Sequence, residues 1–159
     1  MPKSTRKAIT PNAILPRLPE RLSAQLFAGA TARHLDAGET LFSAGDSGDG
    51  CYRLERGLLK VIITSRQGEE RLLTFIGPGA IAGELAIIDR YPRSASIIAV
   101  RDCELSFISR QHFEEYAQQN PEIYRYLTNV LAARLRETDD AMAAAIFLTV
   151  KARLARALL

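Results

Sequence analysis

The chain has 159 residues, 47% hydrophobic and 25% charged, a globular balance with length enough for one well-buried core. Its formal charge of +3 comes from Lys3, Arg6, Lys7 and Arg17 against Glu20, so residues 21 to 159 are formally neutral and the basic balance does not argue for a nucleic-acid-binding face on the folded body. No apolar run approaches the ~18 to 20 residues of a membrane span, and the start MPKSTRKAITPNAILP lacks the features of a secretion signal, so a cytoplasmic protein with no membrane partner is expected.

In chain order, residues 1 to 20 read as a solvated basic arm. ERLSAQLFAGA then gives a short amphipathic helix with Leu22 and Leu26 on one side. All ten glycines lie between Gly29 and Gly83, and this turn-rich half carries short apolar runs at regular spacing: ETLFSA, CYRLER, LLKVIITS, RLLTFIG, SASIIAV and CELSFIS. Gly45-Asp46, Ser47-Gly48-Asp49-Gly50, Arg66-Gln67-Gly68 and Gly77-Pro78-Gly79 separate them as turns. Imperfect alternation in LLKVIITS and SASIIAV predicts strands covered on both faces, hence a closed or rolled sheet. Cys51 and Cys103 lie inside such runs without CxxC or Cys/His spacing and read as small core residues in a reduced compartment.

Ser109 is the expected N-cap of a helix carrying Phe113 and Tyr116, and Asn120-Pro121-Glu122 starts another. In the latter Tyr124, Leu127, Leu131, Leu135, Thr138, Met142 and Ala145 recur at spacings of three, four, four, three, four and three, while Ile123, Val130 and Arg134 form a second flank. Two loaded flanks imply two partners, the β-body and a second helix, so a homodimer through residues 121–148 is expected, along a rod about 42 Å long. A single amphipathic helix laid on its own body is the alternative. Thr149 is expected to cap a last helix, VKARLARALL, whose apolar Val150, Leu154 and Leu158 would begin a further domain. The predicted division is therefore arm 1–20, β-body with flanking helices 21–119, long helix 120–148 and start of a further domain 149–159. The fold class is α+β, mainly β.

Residues 77 to 100, GPGAIAGELAIIDRYPRSASIIAV, hold an acid and an arginine nine positions apart among turn formers and small residues. Gly83 permits close backbone approach, and Glu84-Leu85 would open a short helix whose free N–H groups favour an anion. Arg93 can fork onto phosphate oxygens, Ser94 and Ala95 can add a hydroxyl and an N–H, and Glu84 can accept from a sugar hydroxyl. By spacing alone, a buried structural ion pair between Glu84 and Arg93 fits equally well.

The motifs GETLFSAGD, Tyr-Arg-Leu before Arg56-Gly57, FIGPG, and above all GEL with PRSA resemble the cyclic-nucleotide-binding domain of Crp/Fnr-type transcriptional regulators. Residues 38 to 108 carry the core of the resemblance, which extends over roughly 20 to 159. It implies a jelly-roll-like β-roll that binds cyclic AMP, with cyclic GMP open. Glu84 would meet the ribose, Arg93 and Ser94 the cyclic phosphate, and Gly83, Leu85 and Ala95 would give backbone support. On the dimerisation helix, Arg134 and Thr138 match positions that meet the purine. Asp139 falls where the cyclic-AMP receptor protein has a serine reaching in from the partner subunit, and this departure leaves base identity open. Ala82 replaces the bulky residue of many relatives. The resemblance implies DNA contact only through a winged helix-turn-helix domain following this segment.

Other sensing chemistries of that family fit poorly. An iron-sulfur cluster needs about four thiolates and the chain has two. His34, at the start of a strand, and His112, in a surface-type helix, read as core or solvent side chains, so neither haem nor metal is expected. No nucleophile-base or paired-carboxylate arrangement stands out, and no enzyme activity is expected. Alternatives are a dimerisation module with a non-binding cassette, a sensor of another small effector, or a nucleotide-gated kinase or channel subunit, which TVKARLARALL disfavours.

Overall fold

A computed structural model describes residues 17 to 157, without the side chains of Ala141, Ala144 and residues 148 to 157. Most of the expected basic arm, and Leu158, lie outside the described residues. The elements are α1 (Glu20–Leu26), β1 (Thr31–Leu35), β2 (Thr40–Phe42), β3 (Gly50–Arg56), β4 (Leu59–Thr64), β5 (Glu70–Ile76), β6 (Ile81–Ala82), α2 (Glu84–Asp89), β7 (Ser96–Ala99), β8 (Cys103–Ser109), α3 (Arg110–Gln119) and α4 (Glu122–Ala157).

The strands form two four-stranded sheets, ordered β1-β8-β3-β6 and β2-β7-β4-β5, with antiparallel pairing throughout. This is the expected β-roll. Strand periodicity explains how one strand serves two cores. In β3, Tyr52 and Leu54 enter the core between the sheets, with Leu59, Ile76, Ile97 and Leu105. Cys51, on the opposite face, joins a second core with Leu22, Leu26, Ile108, Phe113, Ile123 and Leu127 beneath the helices. The start of β3 is thus covered on both faces, whereas β1 at the edge of the same sheet buries only Leu35. Burial also pushes the Cys51 thiol pKa up, Glu84 adding to the rise and Arg93 opposing it. The thiol therefore stays protonated, as expected of a core cysteine.

Ser109 caps α3 as read, its Oγ accepting from the His112 backbone N–H. Two expectations for the long helix need correction. Leu127 belongs to the body-facing side with Ile123 and Val130, since steps of four and three keep it within a fraction of a turn of both. The helix also shows no break at Thr149 but continues to Ala157, 36 residues in all and about 54 Å long. Nothing in the alanine-rich sequence around Thr149 interrupts helical hydrogen bonding, and no Gly or Pro follows to stop it. No helix among the described residues is long and apolar enough to cross a membrane.

Candidate functional site

Gly83, the only residue between β6 and α2, lies in the left-handed region at φ 84° and turns the chain so that α2 opens at Glu84. The segment after α2 returns Arg93 beneath it. The Arg93 backbone is fixed by a reciprocal pair: its N–H donates to Asp46 O and its C=O accepts from Gly45 N–H, each at 2.8 Å. Its guanidinium is buried, donating from Nη1 to Gly83 O at 2.9 Å and from Nη2 to Gly50 O at 2.8 Å, with Asp49 Oδ1 at 3.5 Å from Nη2. Arg93 Nε is buried without a hydrogen-bond partner.

Glu84 is buried, at 2% exposure, yet does not pair with Arg93; its ion-pair partner is Arg134 of α4, through Oε1. The Glu84 Oε2 oxygen has no hydrogen-bond partner. Arg134 also donates from Nη2 to Ile81 O at 3.0 Å, so one arginine pins α4 to both the cassette helix and the roll. The sequence reading weighed a Glu84–Arg93 pair, and the structure replaces it with Glu84–Arg134.

Between these groups lies a small cavity of about 50 Å³, partly open to solvent. The expected Gly83, Glu84, Leu85, Arg93, Ser94, Ala95 and Arg134 all line it. Thr138 and Asp139 do not; both are exposed on α4, the Thr138 hydroxyl donating to Arg134 O at 2.9 Å. Sequence reasoning missed the apolar floor, where Phe42 pairs with Ile97 and Ile97 with Val61 as a row across three strands. It also missed Arg110, whose guanidinium donates to Gly48 O and Ala86 O and so clasps the loop before β3 to α2. Ala82 faces the core between the sheets and does not line the cavity. His34 meets Asp36 and His112 meets Leu26 O.

The β-roll thus brings a buried arginine, a partly unsatisfied buried carboxylate and an apolar floor around one cavity. The chain belongs to the cyclic nucleotide-binding domain family, whose model matches residues 32–120. It is 36% identical over 122 residues to the CRP-like cAMP-activated global transcriptional regulator of Mycobacterium tuberculosis, covering 77% of this chain and 54% of that protein. The crystal structure of the Thermus thermophilus catabolite activator protein matches with TM-score 0.72 and 31% identity over 82% of this chain and 61% of that one. The regulatory domain of Toxoplasma gondii PKA, solved with cAMP, matches with TM-score 0.56 and 29% identity over 62% of this chain and 38% of that one. The chain spans little more than half the length of the curated relatives it matches.

Proposed function

We propose that this chain is the effector-binding and dimerisation part of a Crp/Fnr-type transcriptional regulator and that its effector is a cyclic nucleotide, cyclic AMP ahead of cyclic GMP. The observation that carries this reading is the pairing of orphaned groups across one cavity. Buried Glu84 Oε2 lacks a donor and buried Arg93 Nε lacks an acceptor. A ribose 2'-hydroxyl supplies the donor and a cyclic phosphodiester the acceptor. An unsatisfied buried polar group costs about 1 to 3 kcal/mol, so the site gains by taking both at once. Ser94 and the N–H groups of Leu85 and Ala95 stand at the phosphate end, and Phe42, Val61 and Ile97 form the apolar side.

In this reading Arg134 carries the signal. A ribose hydroxyl arriving at Glu84 changes the partner set of the carboxylate that holds α4, and a ligand shifts an equilibrium only through such differential contacts. Dimerisation through α4 is supported by its outward face, where Leu135, Met142, Ile146 and Phe147 are exposed at 62, 55, 55 and 67%. Such a stripe is rare on a free helix. A parallel partner helix would cover it and bring Thr138 toward the purine and Asp139 toward the ligand held by the other subunit. DNA binding would belong to a domain following this segment, with no catalysis here. Titration calorimetry with cAMP, cGMP and 5'-AMP tests the reading: a cyclic nucleotide binds and the open-chain control does not. Heat from none of the three leaves the dimerisation module with a non-binding cassette.

A further inference from the structure

The Arg93 guanidinium lies over the ring of Phe42, with Cζ 4.2 Å from the ring centroid. The ring is itself held in a ladder, with Phe42 and Tyr52 centroids 6.2 Å apart and Tyr52 and Phe107 centroids 5.0 Å apart. It also approaches from the side of Gly83, where a Cβ would sit 3.4 Å from Phe42 Cε1. The guanidinium is thus bounded on one face by an aromatic ring and at its two terminal nitrogens by the carbonyls of Gly83 and Gly50.

From this arrangement we infer that Phe42 is a positioning residue for the anion: its ring face, with the two carbonyls, sets the plane of the Arg93 guanidinium before any ligand arrives. The inference rests on the proposed phosphate role of Arg93. An arginine side chain has several free torsions, and freezing them on binding subtracts from affinity. A ring beneath the guanidinium removes most of that freedom in advance, while its negative face favours the cation in a site shielded from water. An aliphatic side chain at residue 42 would fill the same floor beside Ile97 without orienting the charge. The ring also blocks approach from one face and leaves in-plane approach free, the direction in which the guanidinium N–H groups meet the two free oxygens of a phosphodiester.

The test compares Phe42→Leu and Phe42→Tyr with the unmutated protein by cAMP titration calorimetry, with thermal melting as the check on folding. Phe42→Leu is expected to weaken cAMP binding roughly tenfold, and Phe42→Tyr, which keeps the π face, to stay within about threefold. Leucine binding as tightly as phenylalanine, or tyrosine losing as much as leucine, overturns the proposal. Should Phe42→Leu not fold, the side-chain Nε–H proton spectrum of the unmutated protein decides, with Arg93 assigned by its disappearance in Arg93→Lys. A ring at this distance displaces the Arg93 signal upfield of exposed arginines, and an undisplaced signal overturns the proposal. An unmutated protein that binds no cyclic nucleotide defeats the reading of the site, while the spectrum still reports whether Phe42 orders Arg93.

Discussion

Gly83→Ala is the most exacting perturbation of this site, because the structure fixes what a single methyl group must meet. At φ 84° the backbone is left-handed, which costs an L-residue roughly 1 to 2 kcal/mol. The added Cβ would also lie 2.5 Å from Arg93 Nη1, too close for that atom to remain, and 3.3 Å from Cζ, a tight contact relieved by a few tenths of an ångström. Arg93 must then move and lose its bond to Gly83 O, a charge-assisted hydrogen bond worth about 1.5 to 3 kcal/mol. Together these predict a destabilisation of about 2 to 5 kcal/mol, or a melting point lower by about 5 to 20 °C for a chain of this size. The displaced guanidinium also loses its place at the phosphate, lowering cAMP affinity by about ten- to a hundredfold. Urea unfolding and titration calorimetry read the two effects separately. An alanine variant with unchanged stability and unchanged affinity would refute both the packing of Gly83 on Arg93 and the role given to that arginine.

Leu135→Glu is expected to halve the mass seen by light scattering while keeping the thermal transition, because the residue is exposed in the single chain. Leu131 is less diagnostic, since it is already half-buried in the single chain. Arg134→Ala leaves Glu84 buried without its cation and should cost about 3 kcal/mol in urea unfolding; Glu84→Gln on that background should restore part of the loss in a double-mutant cycle. Ser109→Ala removes the cap of α3 and should cost about 1 kcal/mol with cAMP affinity unchanged, because the cap does not touch the cavity.

What the sequence disclosed followed the range of the interactions involved. The cassette was legible because Gly83, Glu84, Leu85, Arg93, Ser94 and Ala95 lie in one stretch whose residue types serve one chemistry. Cap chemistry at Ser109 was local and correctly read. Strand β1 was read only as a strand starting near His34, whereas it begins at Thr31, because TARHL buries only Leu35 and shows no apolar alternation. The cavity floor escaped because the juxtaposition of Phe42, Ile97 and Val61 depends on the register of three strands distant in sequence. For the same reason Glu84 was weighed against the nearby Arg93 rather than the remote Arg134, and Leu127 was placed on the wrong side of its helix until the body it packs on was known. The expected break at Thr149 treated a residue able to cap as one obliged to, yet an uninterrupted helical sequence has no reason to stop there.

The central claim is that Arg93 and Glu84 hold the phosphate and ribose of one cyclic nucleotide, and parallel cAMP titrations of the unmutated protein, Arg93→Ala and Glu84→Gln test it most directly. Arg93→Ala should lose about 10- to 150-fold in affinity, and Glu84→Gln should lose less, because an amide oxygen still accepts from the ribose. Removing Arg93 also leaves the carbonyls of Gly83 and Gly50 without their donor, so some lowering of the melting point is expected with the cooperative transition retained. Undiminished cAMP binding by a folded Arg93→Ala variant would contradict the account.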